Sequence, residues 1–420
     1  LQYVIDAVDP SKPTAPKGPK KIAALLKKHI DASLDALGRY RRAAGAAKAD
    51  EIARYIRRNA ALGEFTRREI LAALHLYAVY FAKSKRAIVS KLRKGLAEFA
   101  EIPKVLRLDE KELARIRRAL LNDRFETARP LKLLRATLRA VERTDFPVDA
   151  YVDYLASRRE YNEIRRVVRP LRSHNRTTVG YAVAQLERAI RKAKDALAAL
   201  GAPRHRKLAA NVEAWLRFLE RELARTTPPR AVCSTRPGEF LPLCWDHAFR
   251  AGEDFAEDFL GFFRPMPLEP ESHLSFRVWR TSGALAVEFR ETDIDPAQRK
   301  AQWERYRGSG SDSFVERIFI DTEGRGRSRE MYIVWPTGES VSAGTRPRVK
   351  VKTAFVADDS STTTTVWLPW SLVGKRPAKG DVWRLNVTGN PAILRNRAFT
   401  WAPQYDAGGN ATLFGKVRFV

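Results

Sequence analysis

The chain is 420 residues long, 44% hydrophobic, and carries a formal net charge of +28. That is enough apolar content for packed cores and excludes wholesale disorder. Two cysteines in this length exclude a disulfide-stapled scaffold. No apolar run reaches the roughly 18 residues that a membrane-spanning helix needs; the longest candidate, Ile70 to Ala82, is interrupted by His75.

Charge is unevenly spread. Residues 1–229 hold 50 Lys and Arg against 26 Asp and Glu, and residues 230–420 hold 27 against 23. Residues 1–19 form an extended basic lead-in with four prolines. Because the chain begins at Leu1, a removed signal peptide is one expectation, which places the protein at the cell surface, in a periplasm or outside the cell.

From Lys20 the hydrophobic period becomes helical. Ile22, Leu25, Leu26, Ile30, Leu34 and Leu37 share one stripe. A second helix is expected over about Asp50 to Leu62, closed by Gly63. Thr66 and Glu69 then form a T-x-x-E capping box opening a third, through Tyr77, Tyr80 and Phe81. Asp109 and Glu112 repeat that signal. Further helices are expected near 130–143, 148–168, 177–200 and 206–225, with Gly201 as a left-handed C-cap. Residues 20–225 therefore read as a helical bundle domain. The pairs Arg57 and Arg58, Arg67 and Arg68, Arg117 and Arg118, and Arg165 and Arg166 are its candidate polyanion-binding residues.

Residues 226–236 (TTPPRAVCSTR) read as a linker, and eight of the nine tryptophans lie beyond it. Residues 237–420 carry strand signals near 274–280, 284–291, 314–321, 330–335, 348–357, 363–368, 382–388, 398–402 and 415–420. That number of short strands fits an antiparallel β-sandwich, so the fold class is all-α followed by all-β. Trp367, Trp370 and Trp383 are expected in its core. Cys233 and Cys244 are close enough in sequence to form one bridge or to remain two reduced side chains. No nucleophile-elbow, zinc-protease, P-loop or dinucleotide fingerprint is present. Asp293 and Asp295 could join a structural calcium site, although D-x-D pairs are common by chance; no other cofactor is expected.

Four stretches carry a family resemblance. They are Phe314 to Asp321, ending in FID; Tyr332 to Gly338; Trp367-Leu-Pro-Trp370 followed by Gly380 to Asn386; and the Trp401 strand with the terminal Phe414-Gly415 strand. In this order they resemble carbohydrate-binding module family 9 over about residues 235–420. The resemblance implies a β-sandwich and a sugar slot walled by two aromatic rings. It puts Trp303 at the first wall; at the spacing of the second stands Gly408, so Tyr405 or Trp401 would substitute there, with Glu316 and Asn386 as hydroxyl partners. Two positions depart from the family: Arg317 stands where a sugar-binding glutamate belongs, and Ile333 replaces an arginine.

The expected protein is a non-catalytic, extracytoplasmic binding or structural protein. Its sandwich is of carbohydrate-binding type, and its basic helical domain suits an anionic polysaccharide or acidic partner. Nucleic acid meets the same charge without a supporting motif. The alternatives are a structural subunit using the sandwich as a protein interface, and an accessory part of a polysaccharide-degrading enzyme.

Overall fold

The computed structural model describes residues 17–44, 46–105, 128–168, 176–246, 262–263, 270–293, 297, 316–324, 330–334, 340–343, 352–358, 360–391, 397–403 and 414–420. It divides into two compact units. The helical unit comprises Leu1–Arg169, Ala184–Glu220 and Ala251–Met266; the sandwich unit comprises Pro170–Val183, Arg221–Arg250 and Pro267–Val420.

Seven long helices are described before the sandwich: α1 (Lys17–Ala44), α2 (Ala46–Tyr77), α3 (Lys85–Val105), α4 (Ala128–Glu142), α5 (Val148–Val168), α6 (Arg176–Ala198) and α7 (Arg206–Ala224). Short 3₁₀ turns at Ala78–Phe81 and Pro203–His205 join two of the corners. The expected break at Gly63 does not occur, and α2 runs through Thr66 and Glu69 without a cap. The reason is packing: a Cβ on Gly63 would stand 3.1 Å from Ile30 of α1, so glycine here admits a neighbouring helix. Gly95 plays the same part for α3, where a Cβ would press to 2.8 Å on Leu76 of α2. Nor does Gly201 adopt a left-handed conformation; among the described glycines only Gly324, Gly374 and Gly380 have positive φ.

The interior of the helical unit is unusually aromatic. Tyr151 and Tyr154 of α5 and Trp215 of α7 are fully buried. Phe262 and Phe263, from the 251–266 segment, pack among the same rings, with Phe262 4.9 Å from Tyr151. Chain from within the β half thus completes a helical core.

The sandwich has two sheets. One runs β1 (Arg230–Cys233), β13 (Gly415–Phe419), β11 (Val382–Gly389), β6 (Glu316–Asp321), β7 (Glu330–Val334) and β8 (Ser340–Ala343), with β12 (Phe399–Thr400) on β11 and β3 (Trp245–Asp246) on β12. The other runs β2 (Leu241–Pro242), β4 (Leu274–Arg280), β5 (Ala284–Thr292), β10 (Ser361–Pro369) and β9 (Lys352–Ala357). Among the described strands β1 and β13 alone pair in parallel. β1 lies inside the stretch expected as linker, taking four residues of TTPPRAVCSTR.

Period-2 alternation sets the core. Phe276, Val278, Leu285, Val287, Phe289, Val366 and Leu368 face Ile318, Ile320, Trp383, Leu385, Val387, Val417 and Phe419 between the sheets. Burying each such side chain contributes about 1.5–3 kcal/mol. Trp401 stands edge-on to Phe276, with centroids 5.1 Å apart. The backbone of Gly415 lies so close to that indole that a Cβ would meet it at 2.3 Å. Pro369 ends β10, and Trp370–Val373 makes one helical turn, α8, closed by left-handed Gly374. Asp321, the last residue of the FID stretch, accepts hydrogen bonds from the backbone of Glu323 and Gly324. Its role is to close a turn.

Candidate functional site

Of the sugar-slot residues anticipated from sequence, the three that are described are buried. Trp303 and Tyr405 lie outside the described residues. Trp401 and Glu316 are each 4% exposed and Asn386 is wholly buried. Asn386 Oδ1 accepts from the backbone of Val387 and Ala402, at 2.9 and 2.8 Å, tying the chain beyond β12 to β11. Glu316 lies on the core side of its sheet, where its Cγ would stand 3.7 Å from a Cβ on Gly389. Strand parity explains the outcome, because Glu316 shares a face with Ile318 and Ile320.

A different aromatic array lies on the outer face of the five-stranded sheet. Trp279 pairs with Ala286, and Ala286 with Trp367. Cross-strand partners share a face. Since Val278, Val287, Val366 and Leu368 point inward, these three lie on the opposite face by parity, where Trp279 is 9% exposed, Ala286 is wholly buried and Trp367 is half-buried. Trp367 is therefore not the core residue expected from its sequence, whereas Trp383 is, and Trp370 packs against the core edge. The two indoles belong to strands two spacings apart, about 9.6 Å, with the small Ala286 between them.

The next row is Arg277, Glu288 and Thr365. Glu288 accepts from Arg277 Nε at 2.6 Å and from Thr365 Oγ1 at 2.8 Å. The guanidinium also lies 4.5 Å from the Phe240 ring centroid and 5.8 Å from that of Trp279. Arg277 is thus pinned on three sides, a geometry that fixes its remaining donors. Beyond it Arg290 is exposed, its guanidinium 5.6 Å from Phe240. Sequence reasoning passed over Trp279 because R-V-W-R reads as an ordinary alternating strand. The pairing that joins it to Trp367 is tertiary.

On the helical unit the arginine pairs separate into kinds. Arg57 and Arg58 are exposed on α2. Arg67 and Arg68 are engaged in ion pairs within the unit. Arg67 meets Glu64 at 2.6 Å, and Arg68 joins Glu64 at 2.9 Å and Glu98 of α3 at 2.6 Å. Hydrogen bonding from Arg67 holds the Glu64 carboxyl below its usual range. Arg117 and Arg118 lie outside the described residues, as do the side chains of Arg165 and Arg166.

Cys233 and Cys244 are free thiols, the second of the two alternatives that their spacing allowed. Cys233 is directed into the sandwich core, and burial pushes its thiol up to about 12. The Cys244 carbonyl accepts from Arg221, whose guanidinium lies 4.8 Å from the Trp245 centroid. Alkylation at pH 8 should therefore leave Cys233 unmodified in the folded protein and reach it only after denaturation. Rapid modification of Cys233 without unfolding would contradict its placement. Asp293, of the pair considered for calcium, contacts His273 Nδ1 at 2.9 Å, and Asp295 lies outside the described residues. Among the described residues no three metal-ligating side chains converge, and no helix is long and apolar enough to cross a membrane.

No family model and no curated protein matches the sequence. Among solved structures the chain is similar to a carbohydrate binding module family 9 from Caldicellulosiruptor kristjanssonii in complex with glucose, at 11% identity and a TM-score of 0.31. That match covers 46% of this chain and 95% of the other. A family 9 module from the same organism in complex with cellotriose matches at 12% identity and a TM-score of 0.28, covering 45% of this chain and 93% of the other.

Proposed function

We propose that this is a non-catalytic, extracytoplasmic binding protein whose sandwich takes carbohydrate on the outer face of its five-stranded sheet. The observation that carries the reading is the Trp279–Ala286–Trp367 row beside the pinned Arg277–Glu288–Thr365 row. A pyranose offers an apolar C–H face, which stacks on indole, and a rim of hydroxyls, which planar charged groups bind. Trp367, the half-buried indole of the row, would stack on one ring of the glycan, with the buried Trp279 backing the same face. The basic helical unit, with Arg57 and Arg58 exposed, adds affinity for chains bearing carboxylates or sulfates.

The test is binding to neutral and acidic polysaccharides at low salt and at 0.15 M, where exposed charges reach only about 8 Å. Trp367→Ala should weaken glycan binding tenfold to a hundredfold, about 1–3 kcal/mol by analogy with base stacking on aromatic rings. Stability should fall by no more than about 1 kcal/mol, since the ring lies outside the core. Unchanged glycan affinity in this variant would remove the face from consideration.

One observation favours a second reading, a protein interface. Among the described strands β9 ends the order of its sheet, and Val356 upon it is 63% exposed. Edge strands of this kind are templates for pairing with another chain.

A further inference from the structure

The row beyond Arg277, Glu288 and Thr365 is Ser275, Arg290 and Thr363, with Val356 next to it on β9. Val356 is 63% exposed, and Arg290 and Ala354 are exposed on the same face, so this end lies open to solvent. The Arg290 side chain makes no hydrogen bond or ion pair among the described residues. It shares the Phe240 ring with Arg277, at 5.6 and 4.5 Å from the centroid. Two like charges are thereby held close together, which favours an anion beside them.

Glu288 is the carboxylate of these rows, and both of its oxygens are taken. Oε1 meets Arg277 Nε at 2.6 Å and Nη2 at 2.5 Å, and Oε2 accepts from the Thr365 hydroxyl at 2.8 Å. Arg277 Nη1 keeps its donors, with no partner among the described residues. Asp358 lies within electrostatic reach of Arg290. Its oxygens, however, accept from the backbone of Ser360 and Ser361 and from the Ser361 hydroxyl. What these rows have left to offer a ligand is chiefly guanidinium donors.

Resting on the carbohydrate reading above, we infer that the glycan is a uronic-acid chain whose carboxylates are held by Arg290 and Arg277. A neutral sugar presents hydroxyls that donate as well as accept, and the carboxylate that would take their protons is occupied. A carboxylate only accepts, and its plane matches the guanidinium fork. A uronate carboxyl is bonded directly to a ring carbon, so it shares the level of a sugar resting on Trp367. A sulfate ester stands off by a further oxygen. Arg290 lies two rows from Trp367, about 14 Å along the strands, so the ligand is an oligomer.

Isothermal titration calorimetry of the full chain in 0.15 M NaCl, where long-range charge is screened, tests this. The probes are oligomers of galacturonate, mannuronate and glucuronate, each beside the same oligomer with its carboxyls reduced to alcohols. At least one acidic oligomer should bind about tenfold or more tighter than its reduced form. Arg290→Gln should weaken that oligomer by about tenfold or more and leave the reduced form unchanged. Arg277→Lys, which can still pair with Glu288 but loses the fork, should weaken the acidic form alone. Trp367→Ala should weaken both forms. If Trp367→Ala weakens both forms but they bind the parent equally, or Arg290→Gln binds as the parent does, the uronate assignment falls and the glycan face stands. If no oligomer binds, or Trp367→Ala weakens neither form, the face falls and the assignment with it. Tighter binding of a sulfated glucan oligomer, lost in Arg290→Gln, would overturn the assignment in favour of sulfate.

Discussion

Trp215→Ala should lower the unfolding free energy of the helical unit by about 3–5 kcal/mol, the range for truncating a fully buried large aromatic ring. Three further losses push it toward the upper end. The Ser157 hydroxyl loses its donor at 2.9 Å. The Arg158 guanidinium loses the ring 3.9 Å beneath it, and a buried charge stripped of its neighbour is among the costlier defects. Tyr161 and Phe218, each with a centroid 5.3–5.4 Å from its nearest aromatic partners here, are left around a cavity. Urea denaturation followed by far-ultraviolet circular dichroism measures the change. Trp370→Ala, whose half-buried ring sits at a core edge, should cost clearly less. A Trp215 variant losing under about 2 kcal/mol would mean that this core repacks freely.

That contrast bears on what the sequence made legible. Helical and strand periods stood out because α1 and α5 repeat apolar residues at helical spacing, while β4, β10 and β11 alternate. Parity alone placed Trp383 inward, with Leu385 and Val387 on its face. It could not place Trp367, because Val366, Trp367 and Leu368 are all apolar and either face would bury something. Only the pairing to Ala286 and onward to Trp279 decides it. Gly63 shows the same limit: its local signal is a helix stop, but an apposed helix makes it a contact with Ile30. β1 was hidden in a proline-rich linker, since its parallel partner β13 lies at the other end of the sandwich sequence. The described slot candidates show a related limit. Asn386 looks like a ligand-binding amide, yet its oxygen is consumed by two backbone N–H groups.

Above about pH 10 the helical unit should lose stability steeply, while remaining insensitive between pH 8 and 9. Burial raises the phenols of Tyr80, Tyr151 and Tyr154, for Tyr80 and Tyr154 against a smaller opposing pull from Arg158. In the unfolded chain such phenols titrate near 10. Once pH passes that value, the unfolded state releases protons that the folded state keeps, so alkali draws the equilibrium toward unfolding. The stabilising contribution is complete below the unfolded pKa and is lost as pH rises toward the folded values. Each group contributes a slope of about 1.4 kcal/mol per pH unit, so three together give roughly 4. Cys233 in the sandwich acts in the same direction from about pH 8.5–9, where an unfolded thiol titrates, up to its folded value of about 12. Thermal midpoints at stepped pH, read with the ultraviolet absorbance of tyrosinate, separate the two units' contributions. The three phenols should ionise only as the helices melt, and Tyr151→Phe should remove about a third of the slope. Tyrosinate forming near pH 10 across all 12 tyrosines, with helices intact, would place these phenols in solvent and refute the buried aromatic core.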